Sequence, residues 1–321
     1  MPRYALVAAT AAAFCGAPAC AENYPARPIT LVVPFVAGGS ASVAARSVAD
    51  KMGELLGQQI VIDNRGGAGG TVATRAVAKA APDGYTLLVV TSATVGTSPA
   101  LFANLGYDPR KDFEPIGLMA ATPNLIAVHP SFPAHTLAEW VKIGQETREP
   151  IPYGSPGTGT LNHLTVELIA HRMHMKLAHV VYRGAGPALN DTMGGRVHLL
   201  FSNLAATTPH VKSGRLRALA VTSAQPTALA PSLPTIASSG LPGYEAEAIY
   251  GVVVPAGTPV PIINRLNQEV VRALNRQDVK DKYFAYGVET VGGSAQQLAD
   301  KIKSEMLRMG KVIKDAGIKG E

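Results

Sequence analysis

Apolar positions along this chain fall into two kinds of run that alternate, and the alternation predicts an α/β protein. Residues 29–33 form a short, largely apolar run of strand length. Over residues 42–56, Val43, Val48, Met52, Leu55 and Leu56 recur on roughly one face of a helix. Residues 59–62 read as a second strand, 71–80 as a helix carrying Val72, Ala76 and Val77, and 85–91 as a third strand. The middle repeats the pattern. A strand is predicted at 125–128, and Thr136-x-x-Glu139 has the spacing of a capping box that opens a helix. Pro152-Tyr153 leads through a turn to a helix over 161–172, and strands follow at 179–182, 197–202 and 216–222. The tail is helical, with Pro261 near the start of one helix running to Arg276. Ser294-x-x-Gln297 caps a second helix that runs to Lys314. Mostly apolar strands alternating with amphipathic helices predict parallel sheets covered on both faces, here as two doubly wound lobes.

Two glycine-rich turns sit at matching places in the two lobes. One is Pro34-Phe35-Val36-Ala37-Gly38-Gly39-Ser40. The other is Tyr153-Gly154-Ser155-Pro156-Gly157-Thr158-Gly159-Thr160. Each lies between a strand and a helix, and neither contains a lysine. A helix N-terminus reached through glycines presents unpaired N–H groups and partial positive charge to a small anion. Two such ends facing each other would hold one anion from both sides without catalysis. The plainer alternative is a tight strand-to-helix connection, which glycine also serves. Neither turn fits the GK[ST] phosphate loop or the G-x-G-x-x-G dinucleotide pattern. In doubly wound sheets, ligands sit at the carboxyl ends of strands, so Thr91-Ser92-Ala93-Thr94 at the end of the third strand should border the same crevice. A third stretch, Asn64-Arg65-Gly66-Gly67-Ala68-Gly69-Gly70-Thr71, follows a strand expected at the sheet's periphery. It reads better as a packing loop than as an anion site.

Composition narrows the function. The chain has 321 residues, 47% of them hydrophobic and 16% charged, enough for two buried cores. Arg3, the apolar run after it, and Ala19-Cys20-Ala21 have the form of an export signal cut before Glu22. Lipid attachment at Cys20 is the weaker alternative, because Ala17-Pro18-Ala19 lacks the usual leucine. Both cysteines, Cys15 and Cys20, fall in that segment. A mature chain would therefore have no disulfide, thiol nucleophile or cysteine metal site. The net charge of +6 is spread as single residues without a basic stripe, which argues against nucleic acid and is compatible with small anionic ligands. His171 and His174 at i, i+3 would share a helix face, but no acidic pair completes a metal set around them or around His163 and His179. Ser155 lacks the G-x-S-x-G elbow of a hydrolase and precedes a proline. No cofactor and no metal is expected.

Further motifs follow in a fixed order: Pro82-Asp83-Gly84-Tyr85-Thr86-Leu87, Tyr107-Asp108-Pro109-x-Lys111-Asp112-Phe113, Tyr182-Arg183-Gly184, Arg217-Ala218-Leu219-Ala220-Val221 and Pro255-Ala256-Gly257-Thr258-Pro259. With the three glycine-rich stretches, they make the chain resemble the periplasmic solute-binding proteins of tripartite tricarboxylate transporters, the Bug family, from Tyr24 to the C-terminal helix. The resemblance implies a type II periplasmic binding fold, a two-lobed "Venus flytrap" with a central cleft. It also implies a small organic anion as ligand and the transporter's membrane permease subunits as partners. On this reading residues 1–21 are the export signal, residues 22–122 and 252–321 form lobe 1, and residues 123–251 form lobe 2. Hinges are expected near 122–125 and 245–252, in a periplasmic monomer.

By the same resemblance, one ligand carboxylate meets the backbone of Phe35, Val36, Ala37, Gly38 and Gly39 and the turn Ser155, Gly157, Thr158, Gly159 and Thr160. Specificity is expected from Ser40, Ser42, Ser92, His163, Arg183, Ser202 and Asn203, with Arg183 equally readable as a structural charge, and Ala93 and Gly184 are expected as further ligand contacts. Ser42 and Ser202-Asn203 stand where the family usually has aspartates. Loss of those charges would favour a di- or tricarboxylate over an amino acid. Tyr250-Gly251 replaces the family's Trp-x-Gly, and only a packing change is expected there. The rival readings are an exported α/β enzyme acting on small acids and a ligand-binding accessory to a membrane sensor.

Overall fold

A computed structural model of the protein describes residues 24–37, 40–155, 157–158, 160–182 and 185–315. The segment read as an export signal, including Cys20, lies outside them. So do Gly38, Gly39, Gly159, Arg183 and Gly184.

The first half alternates as expected: β1 (Ile29–Val33), α1 (Ser40–Leu56), β2 (Ile60–Asn64), α2 (Thr71–Ala78) and β3 (Thr86–Thr91). A turn of π-helix over Ala93–Thr97 and the short α3 (Ser98–Leu101) then lead to β4 (Phe113–Val128). The second half contains α4 (Leu137–Glu146), β5 (Ile151–Ser155), α5 (Leu161–Arg172), β6 (Leu177–Val181), α6 (Ala185–Met193), β7 (Leu199–Asn203), α7 (Leu204–Lys212) and β8 (Arg217–Val221). The chain returns through β9 (Glu247–Pro255), α8 (Val260–Asn275), α9 (Gln277–Ala285), the two-residue β10 (Glu289–Thr290) and α10 (Ala295–Asp315).

Both predicted caps form. Thr136 Oγ1 accepts from the Glu139 N–H at 3.1 Å, while the Glu139 carboxylate reaches back to the His135 N–H at 2.6 Å. Ser294 and Gln297 bond each other reciprocally, closing the first turn of α10. The expected helix face shared by His171 and His174 does not exist. α5 ends at Arg172, and His174 has φ 52°, outside any helix.

The strands run in the order β2-β1-β3-β9-β4-β7-β5-β6, with β8 and β10 also on β4. This corrects the expectation of parallel sheets. β1, β2 and β3 pair in parallel, as do β5, β6 and β7, but β9 and β4 run antiparallel to their neighbours. β4 belongs to both halves. Phe113 to Pro123 pair with β9, and Asn124 to Val128 pair with β7. Sequence reasoning found only its last four residues. Pro115, Gly117 and Pro123 hide the strand pattern, and its register shifts at Pro115/Gly117 and Leu118/Ala120.

Each half buries a core on both faces of its sheet. In the first half, Leu31, Val33, Leu87 and Val89 face α1 and α8, while Val32, Leu88 and Val90 face α2 and the start of α10. In the second half, Ile126, Val128 and Phe201 lie on one face and Leu125, Ala127 and Val221 on the other. α10 is shared, with Leu298 and Ile302 in a first-half core and Met309, Val312 and Ile313 in a second-half core.

Two polar side chains fasten the crossings between halves. Thr222 Oγ1 accepts from the Asn124 N–H at 2.8 Å and donates to the Ala246 carbonyl at 2.6 Å, so it links β4 to the segment entering β9. Ser92 Oγ donates to the Glu247 carbonyl and accepts from the Ile249 N–H, both at 3.1 Å, fixing the start of β9 to the end of β3.

Candidate functional site

The carboxyl ends of β1 and β3 and the turn after β5 converge on one cavity of about 610 Å³. From the first half, its wall takes Phe35 and Val36 from the first glycine turn and Ala41 from α1. It also takes Thr91, Ser92 and Ala93 from the end of β3, and Thr97, Ser98, Leu101 and Phe102 beyond it. From the second half come Thr158, Thr160, Leu161 and Asn162, and β9 adds Ala248 and Tyr250. The two turns singled out in the sequence therefore meet across one space. Helix geometry gives the first-turn N–H groups of α5 no partner within the helix. Thr160 Oγ1 takes the N–H of His163 at 3.4 Å, while Leu161 and Asn162 line the cavity.

The third glycine stretch also reaches this wall, through Ala68 and Gly69, although its strand β2 is at the sheet edge as expected. It packs against the end of β1, as read from the sequence, and it also borders the cavity. Gly70 has φ 92°, and a Cβ there would lie 2.9 Å from Thr94 Cγ2 and 3.1 Å from Pro34 Cβ. Only glycine lets this loop press against the end of β1. Arg65 turns outward to an ion pair with Asp63 at 2.6 Å.

Several expected specificity residues have other duties. Ser42 is absent from the cavity wall. Asn64 Nδ2 donates to it at 3.2 Å and to the Phe35 carbonyl at 3.0 Å, so Ser42 braces the first turn from behind. Ala37 lies beside Ser42 in a separate surface depression with Arg46 and Lys282. Ser202 is buried at the end of β7 and is likewise absent from the wall, as is its neighbour Asn203, opposite Asn124. Ser92 does line the cavity, but its hydroxyl is committed to β9. Tyr250, expected to alter packing only, lines the cavity. Sequence reasoning missed Thr97, Ser98, Leu101, Phe102 and Asn162. The capping Thr160 was the available signal for Asn162, two residues on.

Ser155 stands behind the second turn. It is fully buried, its Oγ accepts from the Gly157 N–H at 3.2 Å, and it lies 2.5 Å from His179 Nε2. His179 stacks between Tyr153 at 5.0 Å and His163 at 4.0 Å. Tyr153 donates to Glu167 at 2.5 Å, and His163 Nε2 lies 4.0 Å from the same carboxylate. A serine and histidine this close are what a nucleophile needs, but burial keeps Ser155 from any substrate in the cavity. The cluster instead fixes the turn. Among the described residues, no three His, Cys, Asp or Glu side chains are placed to hold a metal ion.

Burial, and then the neighbouring His179, push the His163 imidazole down to about 4 from 6.5. His179 is lowered too, by burial against the opposing pull of Glu167. The sign follows directly. Between pH 6.5 and about 4 the unfolded chain binds a proton that folded His163 refuses, so stability falls as pH falls through that window, while above it the effect vanishes. The loss amounts to at most roughly 3 kcal/mol. Urea midpoints measured from neutral pH down to about 4 should show it, and His163→Gln should flatten the profile. An unchanged profile in that variant would place the acid sensitivity elsewhere.

A two-lobed α/β structure with a cleft where loops from both halves meet defines the class of type II periplasmic binding folds, and comparison with known proteins agrees. The family described as "Tripartite tricarboxylate transporter family receptor" matches residues 44–318, and the chain belongs to that family of solute-binding proteins. It is 34% identical to BugT of Bordetella pertussis over 304 residues, covering 94% of this chain and 93% of that one. Its fold matches Rpa4515 of Rhodopseudomonas palustris, solved with adipate, at a TM-score of 0.83 and 38% identity over 93% of this chain and 100% of that one. MatC from the same organism, solved with bound malate, matches at a TM-score of 0.80 and 33% identity over 90% and 100% of the two chains.

Proposed function

We propose that this protein captures a small organic anion, a carboxylate, in the cleft and hands it to the membrane subunits of a tripartite transporter. The observation that carries the reading is the meeting of two glycine turns, from opposite halves, on one cavity whose described wall has no charged side chain. The anion is then held by backbone N–H groups at helix starts. Adipate and malate in two neighbours support a carboxylate. The expectation of two or three carboxylates rested on Ser42 and Ser202, and it loses that support because neither lines the cavity.

The lobes are residues 22–122 with 252–321, and residues 123–251. They close by bending where β4 changes partners at Pro123/Asn124 and where Glu247 opens β9. The tail of α10 reaches into the second-half core and limits that motion. Closure removes water from the ligand and strengthens its polar contacts. Residues 1–21 direct export to the periplasm, where the mature monomer works without cofactor or turnover. No described helix is long and apolar enough to cross a membrane.

The test is native mass spectrometry of the mature protein as purified, then a thermal-shift screen of carboxylic acids and their amides. A saturable stabilisation by an acid but not its amide is expected, since a ligand at about a hundred times its Kd adds about 2.7 kcal/mol. A folded protein that answers to no acid, or one that consumes it, would overturn the reading.

A further inference from the structure

We infer that His179, acting through Ser155, is a positioning residue for the second glycine turn, and that the protein takes up a proton on this histidine when an anion binds. The inference rests on the anion reading above and adds to it. Ser155 Oγ lies 2.5 Å from His179 Nε2 and 3.2 Å from both the N–H and the carbonyl oxygen of Gly157. Thr160 Oγ1, on the cavity wall, donates to the same carbonyl at 2.7 Å. A chain of hydrogen bonds therefore runs from the imidazole to the turn that takes the anion.

This chain accommodates both charge states of His179. When Nε2 is unprotonated, Ser155 donates to it and accepts from the Gly157 N–H. When Nε2 carries a proton, it donates to Ser155 Oγ, which still accepts from Gly157 and turns its own hydrogen to the Gly157 carbonyl. No bond to the turn is lost, so protonation adds only a positive charge behind it. The groups around the ring suit one such charge. From β5, Tyr153 stacks on it at 5.0 Å, and from α5, His163 stacks on it at 4.0 Å. Glu167 of α5 is the carboxylate that attracts the proton, but burial outweighs it and holds His179 below its ordinary value. The ring is then mostly neutral at about pH 7 without a ligand. The described cavity wall has no charged side chain to balance a carboxylate, and a proton on His179 supplies one from behind the turn.

By linkage, affinity rises as pH falls wherever the complex holds more protons than the free protein. The test is calorimetric titration of the mature protein in buffers of different ionisation heat. The probes are malate, adipate and the acid that stabilises it most in the thermal-shift screen. Binding should take up protons at about pH 6.5, and Kd should tighten about fourfold from about pH 7.5 to about pH 6. His179→Gln should abolish the uptake and flatten the profile. His171→Gln, at an exposed position near the end of α5, should keep both. The probe's own titration is common to all these proteins. His179→Phe keeps a stacked ring but leaves Ser155 without its partner, and should weaken binding about tenfold at every pH. If the His179 variants do not fold, the parent's histidine rings followed by NMR decide, since His179 should titrate at higher pH with the probe than without. Binding without proton uptake, or uptake that survives in a folded His179→Gln, would overturn the inference and leave the anion reading standing. A folded His179→Phe that binds like the parent would remove the positioning role. Response to no acid would overturn both readings.

Discussion

Thr158→Glu should cost the protein most of its affinity for a carboxylate while leaving its fold intact. Thr158 is exposed, sits on the second glycine turn and lines the cavity opposite Phe35 and Val36. A new carboxylate there would face the ligand's own charge across a few ångströms. With solvent screening, two like charges about 4 Å apart at an effective dielectric near 40 repel by about 2 kcal/mol, roughly thirtyfold in Kd. Thr158→Gln carries the same bulk without the charge and should bind within a few-fold of the parent. The deficit of the glutamate variant should shrink as salt rises, because the repulsion is screened. Equal affinity of the Glu and Gln variants would remove the second turn from the anion site.

Thr222→Val should produce the largest loss of stability. The substitution keeps the shape of a fully buried side chain and deletes only its hydroxyl. That hydroxyl serves the Asn124 N–H and the Ala246 carbonyl at once, and both residues are buried. Orphaning two buried backbone groups costs about 1–3 kcal/mol each, so a loss of about 4 kcal/mol and a fall in Tm on the order of 10 °C are expected. Thr222→Ser restores the hydroxyl and should recover most of the loss. A fall of only a degree or two in Thr222→Val would mean that water replaces the hydroxyl and that the two crossings are not fastened there. Because the bond joins the places where the chain passes between halves, the variant should also respond less to ligand, its lobes being less precisely aligned for closure.

The parts of the fold that were legible in the sequence are those decided locally. β1, β3, α5 and both capping boxes could be read because their signals lie within a few residues of one another: apolar runs, a Thr or Ser before a helix, a Glu or Gln three positions on. The two glycine turns were legible for the same reason. β4 and β9 were not. β4 has prolines and a glycine where a central strand should not, and it is tolerated because register shifts absorb them and because it is held on both sides by β9, β10, β7 and β8. The antiparallel centre of the sheet follows from these two strands, so it too was out of reach.

The site divides in the same way. Phe35, Val36, Ser92, Ala93, Thr158 and Thr160 were named from sequence and do share one wall. Ser42 was named as well, but α1 turns it toward Asn64 and away from the cavity. Ser155 was taken as a ligand contact, and the strand alternation of β5 buries it against His179 instead. Leu101 and Phe102 carry no motif, and Tyr250 stands at a motif position that was read as packing only. They become wall residues because the chain between β3 and β4 folds over the cleft and because β9 inserts between those strands.

The sequence by itself determined the alternation of strand and helix, the caps, the glycine turns at two helix starts and the family. These depend on backbone preferences and on periodicities that neighbouring residues satisfy among themselves. Only the tertiary structure decided that the two turns face each other, that a third glycine loop joins them, and that the rest of the described wall is uncharged. Those outcomes depend on how β9 and β4, far apart in the chain, pair at the centre of the sheet. That pairing is set by long-range packing, which no local pattern encodes.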